Sequence, residues 1–223
     1  MNMLICAATD VELEPLLPLL GLHRAANPAE NLQWHIMASG SGMINTAFHL
    51  TDHLAKHKYD LAVNIGVAGS FKPEHRIGDV VRVHKDRFGD WGAHEQDGFV
   101  DVFDMGLENP DKFPFDGGWI YEQPHRAVSP THVPNVEAFT VNTIRESRLE
   151  LARHKHSAAV ESMEGAAFFY VCRQFNLPCL QLRGISNDVG ERDKSKWKMR
   201  DALQNLSEYF VYKVIRKLRL ENV

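Results

Sequence analysis

Short apolar segments alternate with helical patterns along almost the whole chain, and this alternation constrains the fold more than any other feature. The segments 3–8, 61–65, 79–83 and 178–183 are short, apolar and bounded by turn residues, which is typical of buried strands. Helical patterns occur at 16–20, 44–56, 164–175 and 202–220. The alternation predicts a single three-layer-like α/β domain over residues 1–223, with a central mixed, largely parallel twisted sheet flanked by helices.

The composition excludes several classes of protein. The hydrophobic and charged fractions, 44% and 24%, are ordinary for a globular protein, and the net charge of −4 does not favour a nucleic-acid partner. Apolar runs fall far short of the ~20 residues of a spanning helix, and the first residues lack the basic segment of a signal peptide. The three cysteines form no CxxC pair. We therefore expect a cytoplasmic protein that binds neither membranes nor nucleic acid.

Residues that follow the predicted strands are the first candidates for a site, because open α/β sheets bind ligands at the carboxyl ends of their strands. These candidates are Glu12, the glycine-rich segments 39–42 and 66–70 (which include Gly69 and Ser70), and the segment 183–188. Backbone amides of glycine-rich turns can approach a sugar or an anion closely. Taken singly, each glycine-rich segment also fits a tight strand-to-helix turn.

The segment Val-Glu-Ser-Met-Glu-Gly-Ala-Ala at 160–167 is more informative. It sets a carboxylate and a thioether directly before a helix of small residues. A glutamate among apolar residues is costly to bury unless it binds something, which makes Glu164 a candidate for ligand binding. Glu161 and Glu164 also fit the first turn of a helix, where the dipole favours acidic residues, and this alternative is stronger for Glu161.

Three motifs, in this order, resemble those of the nucleoside phosphorylase and nucleosidase superfamily. They are Asn-Ile-Gly-Val-Ala-Gly-Ser at 64–70, Val-Glu-Ser-Met-Glu-Gly at 160–165 and Arg-Gly-Ile-Ser-Asn at 183–187. The segment Gly-Asp-Val-Val at 78–81 adds to the resemblance, which runs along most of the chain. Within the superfamily the chain is most similar to the futalosine hydrolases, because of Arg-Phe-Gly-Asp-Trp-Gly-Ala at 87–93 and of Asn187.

The resemblance implies roles for residues around the sugar. Glu164 would bind the ribose hydroxyls, Met163 would pack on the sugar, and Ser162 would belong to the same substrate-binding segment. Glu12 would orient and activate a water molecule, and Arg183 would support the site. Two acidic side chains, far apart in sequence, are thus expected to meet at one ribose.

The resemblance also implies roles at the base, where Asn187 follows Ser186 at a position that is an aspartate in many members. A protonated aspartate suits a 6-aminopurine, whereas an asparagine can donate to O6 and accept from a ring N–H of a 6-oxopurine such as the hypoxanthine of futalosine. Asp188 is the alternative, and since neighbours in an extended chain point oppositely, only one of the two faces the base. Phe88 or Trp91 is expected to stack on the purine, although each also fits a core or interface position.

Residue 64 bears on which nucleophile the enzyme uses. It is an asparagine here, whereas phosphorylases of the superfamily typically carry an arginine at this position. Phosphate without a guanidinium partner would lose charge-assisted contacts, so water is the favoured nucleophile. The predicted reaction is hydrolysis of the N-glycosidic bond of futalosine to hypoxanthine and dehypoxanthine futalosine, in menaquinone biosynthesis. The alternatives are a methylthioadenosine/S-adenosylhomocysteine nucleosidase, a purine nucleoside phosphorylase and a non-catalytic nucleoside-binding protein.

No cofactor and no metal is expected, and a homo-oligomer is implied by the resemblance. His49, His53 and His57 recur at a spacing that can bind a metal on a helix, but the charged residues between them indicate a solvated face. The aromatic- and proline-rich segment 99–124 is predicted to be a long ordered loop that serves as a lid or a subunit contact.

Overall fold

The structure is a computed structural model that describes residues 1–27, 31–96, 98–126, 128, 132–144 and 158–220. Its strands are β1 (Asn2–Ala7), β2 (Gln33–Ala38), β3 (Leu61–Ser70), β4 (Val80–Phe88), β5 (Gly92–Glu95), β6 (Gly98–Asp101), β7 (Ile120–Tyr121), β8 (Asn135–Thr140), β9 (Val160–Ser162) and β10 (Cys179–Asp188). Its α-helices are α1 (Asp10–Leu13), α2 (Leu16–Ala26), α3 (Gly42–Lys56), α4 (Gly165–Gln174), α5 (Met199–Tyr209) and α6 (Arg216–Leu220). A 3₁₀ helix spans Lys194–Lys196, and a π-helical segment, Phe210–Ile215, joins α5 to α6.

The central sheet is mixed and largely parallel, as predicted, but it is not open. Strand β3 pairs with β10, β10 with β4, β4 with β8, β8 with β9, and β9 returns to β3, so five of the described strands close on themselves. Strands β1 and β2 extend this barrel from β3, and β7 pairs with β4. The predicted twisted sheet flanked by helices is therefore present, but it is closed into a barrel, which the prediction did not include. Apolar patterning identifies strands, whereas closure depends on pairing partners that lie far apart in the chain.

Strands β3 and β10 are longer than predicted. The glycine-rich segments 66–70 and 184–188 were expected to be turns beyond the strand ends, but both belong to the strands and pair with each other in parallel. A register shift between Ile185 and Asn187 marks a bulge, a device that often re-aims side chains beside active sites. The sequence motifs consequently line one end of the barrel from within its strands.

The predicted helices are confirmed, and they cover the sheet on two sides. Leu50 of α3 and Phe168 of α4 belong to one apolar cluster, and Leu20 of α2 and Leu206 of α5 belong to another. The helix predicted over 202–220 begins at Met199 and includes the π-helical segment. None of the helices in the described ranges is long and apolar enough to span a membrane.

The segment 99–124 is an ordered connection with little regular structure, as predicted. Apart from its residues in β6 and the short strand β7, it consists of turns and irregular chain. Phe103 and Phe115 of this segment pack against each other, with ring centroids 5.2 Å apart. Arg87 and Asp101 form a buried ion pair that ties β4 to the start of the segment. Its use as a lid or subunit contact stays a prediction.

Candidate active site

The structure brings most of the predicted site residues to one cavity of about 360 Å³ at the end of the barrel. The predicted residues that line it are Glu12, Gly69, Ser162, Met163, Glu164, Ser186 and Asn187. They come from the start of α1, from β3, from β9 with the turn before α4, and from the bulged end of β10. Glu12 and Asn187 thus line the same cavity, although they are more than 170 positions apart in the chain.

Glu12 is fixed at the cavity wall by backbone amides. Thr9 caps α1 in a capping box with Glu12, which sets the carboxylate against the turn after β1. Glu12 Oε2 accepts hydrogen bonds from the amides of Ala8 (3.0 Å) and Thr9 (3.1 Å), and Oε1 accepts one from the amide of Val67 (3.3 Å). Glu12 Oε1, which accepts this one bond, retains acceptor capacity for a further ligand such as water.

Glu164 occupies the N-cap position of α4, and its carboxylate reaches across the cavity rim to another helix. Glu164 Oε1 accepts a hydrogen bond of 2.8 Å from the amide of Gly42, the first residue of α3. Burial raises the pKa of the Glu164 carboxyl, while the Gly42 hydrogen bond and the positive charge of Arg183 act in the opposite direction. Met163 lies beside it in the cavity lining.

Arg183 is buried behind the cavity. Its Nη2 donates to Asn64 Oδ1, and Asn64 Nδ2 donates to the carbonyl of Cys6 at 3.1 Å. Burial lowers the pKa of the Arg183 guanidinium, and the negative charges of Glu164 and Glu12 oppose this shift. A Cβ at Gly66 would lie 2.7 Å from Glu12 Oε1 and 2.9 Å from Arg183 Nη1, so a glycine leaves room for both. Asn64 therefore holds the arginine behind the carboxylates.

Asn187, and not Asp188, belongs to the cavity wall. Asn187 is buried and lines the cavity, whereas Asp188 is exposed and is absent from the lining. Asn187 Nδ2 donates to the Asp188 carbonyl (2.9 Å), and Oδ1 accepts from Ser186 Oγ (2.7 Å). These bonds fix the orientation of the amide, which retains one donor hydrogen and one acceptor lone pair for a ligand.

Three residues predicted to bind substrate lie elsewhere. Phe88 and Trp91 contact each other edge to face, with ring centroids 5.6 Å apart, and they pack against the ordered segment 99–124. Ser70 is buried, and its hydroxyl donates to the Lys72 carbonyl at 2.8 Å. Phe88 and Trp91 do not line the cavity, so the prediction that one of them stacks on the purine is wrong.

The cavity is also lined by residues outside the predicted set. Glu161, which fitted the first turn of a helix, lies instead on β9, is buried and lines the cavity. Trp197 and Met199 reach the cavity from the segment after β10. An aromatic residue soon after the Ile-Ser-Asn motif was the available signal for Trp197.

A second recess of about 590 Å³ adjoins the cavity and shares Ala8, Thr9 and Ser41 with it. His49, Asp52 and His53 line its outer part. Over the ranges that the structure describes, no group of three or more histidine, cysteine, aspartate and glutamate side chains is placed to hold a metal ion.

Known proteins resemble this chain in sequence. The family model of the phosphorylase superfamily matches residues 30–216. The futalosine hydrolase of Streptomyces coelicolor is 29% identical to this chain, and the match covers 93% of each of the two chains. The 5'-methylthioadenosine/S-adenosylhomocysteine nucleosidase of Psychromonas ingrahamii is 26% identical over 163 residues, which cover 70% of this chain and 68% of that one.

Solved structures of similarly named proteins share the fold of this chain. The structure of a futalosine hydrolase mutant of Helicobacter pylori superposes with a TM-score of 0.74 at 17% identity and covers 100% of both chains. The resemblance inferred from the sequence motifs is confirmed, since the family model spans most of the chain. The chain belongs to the phosphorylase superfamily.

Proposed function

We propose that this protein hydrolyses the N-glycosidic bond of a 6-oxopurine ribonucleoside, and that futalosine is its substrate. The observation that carries the proposal is the meeting of Glu12 and Glu164 at one cavity, each held by backbone amides, with Arg183 buried behind them. The relatives named futalosine hydrolase and nucleosidase support the same class of reaction.

The proposed step follows from the charges that develop during cleavage. As the bond between C1′ and N9 breaks, its electron pair leaves with the base and the sugar acquires oxocarbenium character. Glu164 accepts hydrogen bonds from the 2′- and 3′-hydroxyls. Glu12 takes a proton from the water whose oxygen bonds to C1′. The base takes up a proton at N7 from solvent, which balances the proton that Glu12 releases to solvent afterwards, and Asn187 hydrogen-bonds the base as it departs.

Water is a better nucleophile than phosphate in this cavity. Among its described lining residues there is neither a lysine nor an arginine, so a bound phosphate would lack a cationic partner there. The carboxylates of Glu12 and Glu164 would repel an anion. The buried guanidinium of Arg183 donates to Asn64 behind the cavity wall.

Futalosine is favoured over adenine nucleosides by the amide of Asn187 at the cavity wall. Such an amide can donate to O6 of hypoxanthine and accept from N7–H once the departing base is protonated there. The match to the Streptomyces coelicolor futalosine hydrolase, which covers 93% of each chain, supports this choice. The protein would then act in the futalosine route to menaquinone. A 5'-methylthioadenosine/S-adenosylhomocysteine nucleosidase is the alternative, because a relative of that name also matches.

A nucleoside panel tests the proposal. Purified protein is incubated with futalosine, methylthioadenosine or S-adenosylhomocysteine, with and without phosphate, and the released base is identified by chromatography. Hypoxanthine released from futalosine without phosphate is the expected result. Release of adenine in preference would support the alternative nucleosidase, and a requirement for phosphate would indicate a phosphorylase. Tight binding with no base released would indicate a non-catalytic nucleoside-binding protein.

A further inference from the structure

One buried carboxylate in the cavity has no part in the mechanism above. Glu161 lies in the middle of the three-residue strand β9, is only 6% exposed, and lines the same cavity as Glu12 and Glu164. A buried carboxylate that lines a ligand cavity is placed to accept hydrogen bonds from a ligand. Its position relative to Asn187 indicates which part of the ligand it meets.

Glu161 and Asn187 flank the same residue of β3. Gly69 pairs with Asn187 of β10 on one side and with Glu161 of β9 on the other. Directly paired residues in a sheet project to the same face, so both side chains project to the face on which Gly69 lies. Two strands that flank a third are roughly 9.5 Å apart, twice the usual strand spacing.

The gap between the two side chains is open because Gly69 lies between them. A Cβ at Gly69 would lie 3.2 Å from Asn187 Nδ2, so a larger residue would crowd the amide. A planar bicyclic base that met Asn187 at one edge would therefore present its opposite edge toward Glu161. The spacing of the two strands suits a purine with a hydrogen bond at either end.

The chemistry of the two groups defines which purine fits. An ionised carboxylate accepts hydrogen bonds and donates none. A 6-oxopurine carries a hydrogen on N1, whereas a 6-aminopurine presents a lone pair at N1, which a carboxylate would repel. Glu161 also has interactions within the protein, but a carboxylate has about four acceptor positions and can accept a base N–H as well.

We propose that Glu161 is a specificity-determining residue that accepts a hydrogen bond from N1–H of a 6-oxopurine base, while Asn187 binds the other edge of that base. The inference rests on the proposed function and deepens it. It assigns selection of the base to two residues on opposite sides of Gly69. Neither the ribose-binding carboxylate nor the water-activating carboxylate is required for this selection.

The test compares two bases on one sugar. kcat/KM is measured for futalosine and for its counterpart with adenine in place of hypoxanthine, in the wild type, in Glu161→Gln and in Glu208→Gln. Glu208 is an exposed glutamate of α5, so its variant controls for the chemical change itself. A hydrogen bond to a charged group corresponds to about 10- to 150-fold in affinity.

The wild type and Glu208→Gln are expected to prefer the hypoxanthine substrate by about 100-fold or more. In Glu161→Gln this ratio is expected to fall at least tenfold, because the new amide can donate to N1 of adenine. An unchanged ratio in a Glu161→Gln protein that melts cooperatively would overturn the inference. If the wild type cleaves no nucleoside, the proposed function is wrong. The role of Glu161 is then tested separately, by measuring how tightly the wild type binds purine bases.

A binding experiment on the wild type alone tests the same proposal. It remains informative if the Glu161→Gln protein does not fold. Calorimetry measures the dissociation constants of hypoxanthine and of its 1-deaza analogue, in which C–H replaces N1–H. The analogue is expected to bind at least tenfold more weakly. Equal affinities would overturn the assignment of Glu161.

Discussion

The carboxylate of Glu164 accepts a hydrogen bond of 2.8 Å from the amide of Gly42, a residue that precedes it by 122 positions. This bond joins the first residue of α3 to the N-cap position of α4. Gly42 has a φ of +85°, a left-handed conformation that glycine adopts without strain. The orientation of the proposed ribose-binding group therefore depends on two helices, and a carboxylate has about four acceptor positions, which leaves room for the sugar hydroxyls.

The role of Glu164 can be isolated with a substrate that lacks the hydroxyl it would bind. We expect the wild type to lose about 10- to 150-fold in kcat/KM on the 2′-deoxy counterpart of its substrate, because a charge-assisted hydrogen bond is lost. In Glu164→Ala the bond is already absent, so the same comparison should give less than about a threefold loss. Full discrimination by Glu164→Ala would exclude this residue from ribose binding.

A second prediction concerns the packing at the start of α4. A Cβ at Gly165 would lie 2.2 Å from both Asp86 Oδ2 and Gln181 Oε1, which are buried polar atoms with little freedom to move. Gly165→Ala should lower the free energy of unfolding by about 1–3 kcal/mol, the usual cost of overpacking. Urea denaturation measures this change.

Gly21→Ala is the matched control. Gly21 lies in α2, is exposed, and has nothing within 4 Å of its Cβ position. Alanine there should raise the free energy of unfolding by about 0.5–1 kcal/mol, because glycine disfavours helix interiors. Equal effects of the two substitutions would contradict the close packing at Gly165.

Asp86 gives a prediction about pH. It is fully buried, and burial raises its pKa from the usual 3.8 to about 6, against the hydrogen bonds from Gln181 and Thr140. Between these values the folded protein holds a proton that the unfolded chain has lost. Stability from this group is therefore greatest below about pH 4 and declines as the pH rises through 6.

Asp86→Asn removes this titration. We compare the free energy of unfolding of the variant with that of the wild type at each pH. From pH 4 to pH 7.5 the value for the variant minus the value for the wild type should rise by about 2–3 kcal/mol, because only the wild type loses the contribution of this group. Hydrogen bonds lost in the variant shift this difference by a similar amount at every pH and do not alter its slope. Chemical denaturation over this range measures the difference, and a constant value would show that Asp86 does not titrate as described.

The fold was predictable from the sequence as far as local patterns reach. Short apolar runs identified β1 and the first halves of β3 and β10, and amphipathic spacing identified the helices. Closure of the barrel was not predictable, because it depends on pairing of Gly69 with both Asn187 and Glu161. No local pattern encodes which distant strand meets another.

The site, like the fold, could be predicted only in part. Residues inside contiguous motifs, such as Glu164 and Asn187, reached the cavity as expected because the motifs include the backbone that aims them. Phe88 and Trp91 were chosen by residue type, and the sequence carries no signal for the direction in which an aromatic ring points. The position of Glu161 was not predictable, because β9 is only three residues long and its sequence resembles the start of the following helix.

The most direct test of the central claim, hydrolysis by water that Glu12 activates, is hypoxanthine release from futalosine in phosphate-free buffer. Turnover by Glu12→Gln should fall by about 10²–10⁴-fold, as for loss of a positioned general base, with unchanged melting behaviour. Glu14→Gln, which changes an exposed residue adjoining α1, should retain wild-type turnover. A folded Glu12→Gln protein that releases hypoxanthine at the wild-type rate would contradict the mechanism.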